Sequence, residues 1–208
     1  ANFGGVMRKS STSAPPFYVI ESDPPAKREI VRAALALFSE RGLAATSIRD
    51  IAEKSGYTNP ALYKHFASKD ELAQDLFDRC HQHVWSRCAA RLSGDHPFDA
   101  KLEAYIGEWF AIIDEHPEVF AFLSDSARVL WPTAGAMVKK RTMINLARSL
   151  MREAPGLRHA HASAIDMAAA SLQGTIAEIA RMIHVGVLEG PATRWTSHVT
   201  ALLRKVGS

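Results

Sequence analysis

Residues Thr46 to Phe66 read TSIRDIAEKSGYTNPALYKHF, and this stretch decides the fold. Ile48, Ile51 and Ala52 recur at helical spacing after Thr46 or Ser47, either of which suits a helix N-cap. Gly56 then supplies a stop. A second short helix follows over Asn59 to His65, with Pro60 in the first turn, where a missing N–H costs nothing. Two short amphipathic helices joined by the tight turn Lys54-Ser55-Gly56 are the layout of a helix-turn-helix. Ala52 permits close approach of the pair, and Ile51 and Leu62 lock it onto the helix before it. Facing outward are Tyr57, Thr58, Asn59, Tyr63, Lys64 and His65, hydroxyl, amide and cationic groups of the kind that suit groove edges and phosphates.

Outward from this unit the pattern stays helical. A first helix spans about Pro24 to Arg41, with Ile30, Ala34, Leu37 and Phe38 on one face and Gly42 as its stop. A fourth opens at Ser68-Lys69-Asp70-Glu71, a capping box in which Ser68 takes the Glu71 N–H and Glu71 reaches back, and it runs to about Leu92. Further helices are predicted at Phe98 to Glu115, Pro117 to Leu130, Gly135 to Glu153, His161 to Leu188 and Pro191 to Lys205, each bounded by Gly, Pro or both. No segment alternates with period 2 over strand length. The expectation is an all-α chain of about nine helices: a flexible arm at 1–23, broken by Pro15-Pro16, a three-helix helix-turn-helix domain at 24–70, and a helical ligand-binding and dimerisation domain at 71–208. Residues 1–6 read as a vector remnant ahead of a natural start at Met7.

The match of Lys27 to Leu72, through Ala34-Leu35-Ala36-Leu37-Phe38, Gly42, Thr46-Ser47-Ile48-Arg49-Asp50-Ile51-Ala52, Ala61-Leu62-Tyr63-Lys64-His65-Phe66 and Ser68-Lys69-Asp70-Glu71-Leu72, resembles the N-terminal domain of TetR-type transcriptional regulators. The resemblance implies that Asn59 to His65 is a recognition helix. It also implies that Arg49, Thr58, Tyr63, Lys64, His65 and Lys69 meet phosphates or groove edges. With the caps and flanks, the DNA-binding set is Thr46, Ser47, Arg49, Tyr57, Thr58, Asn59, Pro60, Tyr63, Lys64, His65 and Lys69. Tyr57 stands where the family more often has a small aliphatic residue, and Asn59-Pro60 replaces a commoner polar or glycine-containing pair; both bear on the operator sequence. The resemblance further implies a homodimer that reads a palindromic double-stranded DNA operator and is released by a small molecule.

In the remaining chain, Trp85, Trp109, Phe110, Phe120, Phe122, Trp131, Met143 and Met167 fall at helical spacings that suit a core. Together they also offer a soft lining for an apolar or aromatic effector, with Asn145, Gln173 and Glu178 as orienting groups. The helix from His161 is small or apolar nearly all round, so it is covered on both sides. Ala169, Ala170, Gly174, Ala177 and Arg181, with Trp195, Val199 and Leu202 of the last helix, are the expected isologous dimer contact.

Other chemistry is disfavoured. His81-x-His83 and His159-x-His161 point about 200° apart on a helix and cannot chelate from one face, so no metal or cofactor is expected. Cys80 and Cys88 lie roughly 12 Å apart along one helix, beyond the roughly 7 Å a disulfide tolerates. Two such thiols, no signal-peptide pattern and no apolar run of about 18 residues point to a cytoplasmic protein off the membrane. No nucleophile elbow, dinucleotide or Walker loop, or zincin motif is present, which argues against an enzyme. A helical protein-interaction module remains the alternative, although it leaves the polar face of Asn59 to His65 without a purpose. The 208 residues carry 25 Lys and Arg against 22 Asp and Glu, a net charge of +3. Residues 1–70 hold ten of these basic groups against seven acidic ones, and the rest of the chain is balanced, so the basic excess sits on the arm and the helix-turn-helix unit.

Overall fold

A computed structural model of the chain describes residues 16–205. The described residues form ten α-helices and three short 3-10 turns, with no strand. Three helices make the N-terminal unit: α1 (Pro25–Arg41), α2 (Ile48–Ser55) and α3 (Asn59–Tyr63). The long α4 (Lys69–Arg91) leads into the body, followed by α5 (Phe98–Glu115), α6 (Pro117–Leu130), α7 (Ala136–Lys140), α8 (Met143–Met151), α9 (Ala162–His184) and α10 (Thr196–Arg204).

The local chemistry explains the boundaries. Ser47 and Asp50 form a reciprocal capping box at α2: Ser47 Oγ accepts from Asp50 N at 3.2 Å, and Asp50 Oδ2 accepts from Ser47 N at 2.7 Å. Ser68 caps α4 by accepting from Glu71 N at 3.0 Å, but Glu71 reaches one residue further back than expected and accepts from Ala67 N at 2.6 Å. The single helix expected over 135–153 is two. Thr142 Oγ1 accepts from Asn145 N at 3.0 Å and so starts α8 anew after the chain leaves the helix at Arg141. The last segment likewise opens as a 3-10 turn, Ala192–Trp195, held by the Asp114 carboxylate, which accepts from the N–H groups of Ala192 and Thr193 at 2.6 and 3.0 Å.

A single hydrophobic core runs through both halves. Phe38 of α1 and Phe122 of α6, each almost fully buried, stack with centroids 5.7 Å apart, while Leu72, Leu76 and Phe77 of α4 fill the space beside them. The N-terminal unit is therefore bolted to the body through α1 as well as through α4. The arm expected at 1–23 is corrected over its described part: Tyr18 and Val19 are buried, and Phe17 stacks on His83 of α4 at 3.6 Å and meets His116 edge-on. Arg79 of α4 donates to the Tyr18 carbonyl at 3.3 Å and to Asp23 at 3.2 Å. Residues 16–23 form a strap across α4, and residues 1–15 lie outside the described part.

Between α4 and α5, buried Glu108 is gripped by Arg87 and by Arg91 at 2.6 Å, and Arg87 also holds Glu115 at 2.6 Å. Cys80 and Cys88 are both buried on α4, Cys88 beside this cluster, and burial pushes both thiols up, which keeps them protonated and inert.

Candidate nucleic-acid interface

The turn between α2 and α3 depends on Gly56, at φ 76 and ψ 16, a left-handed geometry in which side chains with a Cβ are strained. Its N–H reaches Ala52 O and Glu53 O, and Tyr57 N donates to Ala52 O at 3.0 Å. This directs the chain into α3, whose Leu62 packs inward with Ile51, Ala52 and Phe66. The α3 helix is shorter than expected, ending at Tyr63, although Phe66 N still donates to Leu62 O at 3.0 Å.

Packing Leu62 inward turns the rest of α3 out. Thr58, Asn59, Pro60, Tyr63 and Lys64 are exposed, Tyr63 by 53%. Thr58 sits at the N-cap without spending its hydroxyl on the cap, and His65 is half-buried at the far end. Exposed Arg49 projects from α2, beside the Ser47–Asp50 box. Hydrogen bonds from Ser47 hold the Asp50 carboxyl below its ordinary range, aided by the charges of Arg41 and Arg49. Arg41, exposed at the end of α1, is a cation of this face that sequence reasoning passed over; its place in the last turn before Gly42 was the available signal.

Three expected contacts are placed differently. Thr46 is 1% exposed, and its Oγ1 donates to Gly42 O at 2.9 Å, stitching the end of α1 to the start of α2. Lys69 commits two of its three N–H groups to the carbonyls of Leu43 and Thr46, at 2.9 and 2.8 Å. Tyr57 is half-buried against the core. Thr46 and Lys69 thus hold the loop that carries α2 instead of presenting free groups to a polyanion. Ser47 is exposed, with its hydroxyl engaged in the cap.

Most of the side chains expected to line an effector chamber do not gather in one; of that set, Phe120 and Glu178 reach a common groove. Phe110 and Phe122 are closed into the core; Trp131 packs on Phe77 and His81; Trp85 carries the Arg141 guanidinium 4.8 Å over its ring. Met143 is half-buried, Met167 is 67% exposed, and exposed Asn145 accepts from Arg148 at 2.9 Å. Instead, a groove of about 530 Å³ opens where α5, α6 and α9 meet, walled by Ile113, Phe120, Ala121, Ala177, Ala180 and Ile183, with Glu178 and Arg181 paired at its rim. Trp109 lies edge-on to Phe120, and Gln173 is one turn along α9 from Ala177. A hollow of about 550 Å³ beside the start of α5 is lined mainly by polar groups, among them Lys101 and Glu153, which pair at 2.7 Å.

Of the expected dimer residues, Ala170, Gly174, Ala177 and Arg181 form an exposed stripe on α9, Leu202 is 56% exposed on α10, and Trp195 is half-buried. Ala169 and Val199 are corrected: they face the chain's own core and cannot touch a partner. His81 is buried against Phe77 and Trp131, whereas His83 stacks on Phe17, so the two imidazoles occupy different environments.

Residues 30–76 match the family model of bacterial regulatory proteins of the tetR family. In that segment the chain is similar to TetR-family regulators. Over 102 residues it is 31% identical to the HTH-type transcriptional repressor KstR2 of Mycobacterium tuberculosis, covering 49% of this chain and 51% of that protein. The chain thus spans about half the length of the curated relatives it matches. The TetR-like fold extends further. The structure of the ketosteroid transcriptional regulator KstR2 superposes with a TM-score of 0.72 at 21% identity, over 90% of this chain and 97% of that one. FadR of Bacillus subtilis, in complex with stearoyl-CoA, gives 0.64 at 16% identity, over 84% and 96%. No helix among the described residues is long and apolar enough to cross a membrane.

Proposed function

We propose that the chain is a cytoplasmic, ligand-responsive transcriptional repressor that binds a palindromic operator as a homodimer. Residues 24–70 read DNA, and residues 71–208 sense and dimerise. The observation that carries this reading is the outer face of α3 and its two caps: Thr58, Asn59, Tyr63 and Lys64 are exposed, and none of their side chains is bonded to another of the described residues. A helix that spends one face on packing and leaves hydroxyl, amide and ammonium groups on the other suits a major groove and its flanking phosphates. Arg49 and Arg41 add charge at the α2 side. Two copies paired along the exposed α9 stripe would set their α3 helices roughly 34 to 36 Å apart, one turn of DNA.

Release requires an effector that binds the DNA-incompetent arrangement better than the competent one, because equal affinity shifts nothing. Helix α4, seated in both halves, is the lever. The names of the relatives, a ketosteroid regulator and a regulator bound to stearoyl-CoA, support an effector with a large apolar body. Selection of bound fragments from random duplex DNA tests the reading. Enrichment of an inverted repeat with half-sites about one turn apart is the expected result, and recovery of no sequence above background refutes it.

A further inference from the structure

Residues 16–23 meet each element whose position decides where the reading head points. Tyr18 and Val19 are buried, and Arg32 of α1, Cys80 of α4 and Glu118 of α6 all lie close enough to act on the Tyr18 phenol. Phe17 stacks on His83 of α4 with the rings nearly parallel, and it meets His116, at the joint of α5 and α6, with centroids 5.1 Å apart. At the other end of the strap, Asp23 pairs with Lys27 in the first turn of α1 and with Arg79 of α4, each at 3.2 Å. Lys27 in turn lies 5.4 Å over the Phe66 ring, just beyond α3. Arg79 completes the clasp by donating to the Tyr18 carbonyl at 3.3 Å and to Asp75 at 3.0 Å. Ordering irregular backbone costs conformational entropy, which the burial of Tyr18 and Val19 and this charged clasp offset.

The strap gives α1 a second anchor. The Phe38–Phe122 stack seats that helix near its C-terminal end, and Lys27 lies about 16 Å back along the axis. One seat permits a swivel, and a second at that distance opposes it. The clasp at Arg79 and the stack at His83 grip α4 about 15 and 21 Å past its start at Lys69. The reading head is therefore at the end of a lever arm of about 20 Å. A tilt of about 5° on that arm moves a recognition helix by roughly 1.7 Å. Two copies tilting in opposite senses change their separation by about 3.4 Å, the rise of one base pair.

We propose that residues 16–23 brace the reading head at a fixed tilt on the body and so set the half-site spacing that the dimer accepts. Phe17, Tyr18 and Arg79 are the positioning residues, and they act through α1 and α4 instead of on DNA. The spacing role rests on the repressor reading, whereas the bracing does not. The strap touches α1, α4 and the α5/α6 joint, away from the α9 and α10 residues proposed for the dimer contact, so altering it leaves pairing intact. Helices α2 and α3 are likewise untouched, so the bases preferred within a half-site should not change.

The first arm of the test needs no DNA. Spin labels at Lys54→Cys on α2 and Glu103→Cys on α5, both exposed positions, report the head-to-body distance by pulsed electron resonance in full chain diluted with unlabelled protein; buried Cys80 and Cys88 stay unlabelled. The distance distribution should be narrow in the otherwise unaltered chain and at least about twofold broader in Phe17→Ala/Arg79→Gln. The second arm measures affinity for the selected operator with its spacer lengthened or shortened by one base pair. The unaltered dimer should lose at least about tenfold, and the double variant less than about threefold, with the same half-site preferred. Mere loss of stability would lower affinity at every spacing by one factor and leave the profile's shape alone. Arg79→Lys, which keeps a cation for Asp23, should restore most of the discrimination. If the double variant does not fold, Arg79→Gln alone, with the Phe17 stack kept, should give an intermediate profile. Distances that stay narrow, or a spacing profile of unchanged shape, overturn the proposal. Broadened distances without any selected operator would sink the repressor reading, and the spacing role with it, while the brace stands; a selected operator with an unchanged profile would sink the spacing role alone.

Discussion

Lys64 and Thr46 are separated by 18 positions and belong to the same short motif, yet the structure gives them opposite work. Lys64 stands exposed at the C-cap of α3 with no partner among the described residues, while Thr46 is sealed beneath the loop with its hydroxyl on Gly42 O. Substituting each should therefore give separable results. Lys64→Ala should weaken operator binding and reduce the salt slope by about one, and Tyr63→Phe should weaken it without changing the slope, both with thermal stability unchanged; fluorescence anisotropy across a salt series checks this. Thr46→Val should leave the salt slope alone and lower stability by about 1 kcal/mol, read by urea denaturation, since a buried hydrogen bond is lost and the carbonyl it served is left short. Sequence reasoning found both residues but could not separate them. A polar side chain at a motif position has the same spelling whether it meets a phosphate or a backbone carbonyl, and Lys69, bound to carbonyls 23 and 26 residues before it, is the clearest case.

At the scale of elements, the helices legible in advance were those with chemical punctuation. Pro117 separates α5 from α6, and Gly56 separates α2 from α3, as the sequence pattern predicts. The break between α7 and α8 was not legible because Arg141-Thr142 contains neither Gly nor Pro; Thr142 begins a cap that also passes as an ordinary helical threonine. The strap was missed for a related reason: the prolines around it signal irregular backbone truthfully, but irregular backbone can still bury Tyr18 and Val19. That strap should respond to acid. Burial lowers the His83 pKa, and the charges of Arg87 and His116 lower it further, against the opposing pull of Glu115 and Glu108. With the folded value below the usual 6.5, the unfolded chain takes up the proton first. Stability from this site is therefore intact above about pH 6.5 and declines as pH falls through the folded value. Asp23 acts in the same direction at lower pH: burial raises its pKa, but the hydrogen bonds from Lys27 and Arg79 outweigh that and hold it below 3.8. His83→Phe, which keeps a ring against Phe17, should flatten the fall in melting temperature between pH 7.5 and 5.5; an unchanged fall would clear His83.

For the whole molecule, the exposed stripe Ala170, Gly174, Ala177 and Arg181 sets assembly against folding in a way that one substitution can separate. Gly174→Glu adds a side chain where a Cβ meets open space and replaces a residue poorly suited to a helix interior, so the isolated chain should gain up to about 1 kcal/mol. Across a two-fold axis the same change opposes two like charges. Sedimentation should show monomers, and operator affinity should drop by more than tenfold with the melting temperature preserved; dimers that persist would move the contact elsewhere. The Phe38–Phe122 stack joins the two ends of this design. Because α6 supplies part of the ground on which α1 rests, the DNA-reading unit does not end where its sequence motif ends. Anyone building a hybrid by transplanting residues 24–70 onto a different sensor would sever that seat and expose Phe38. A working graft must carry Phe122 and its neighbours on α6 along with it, or rebuild their shape in the recipient.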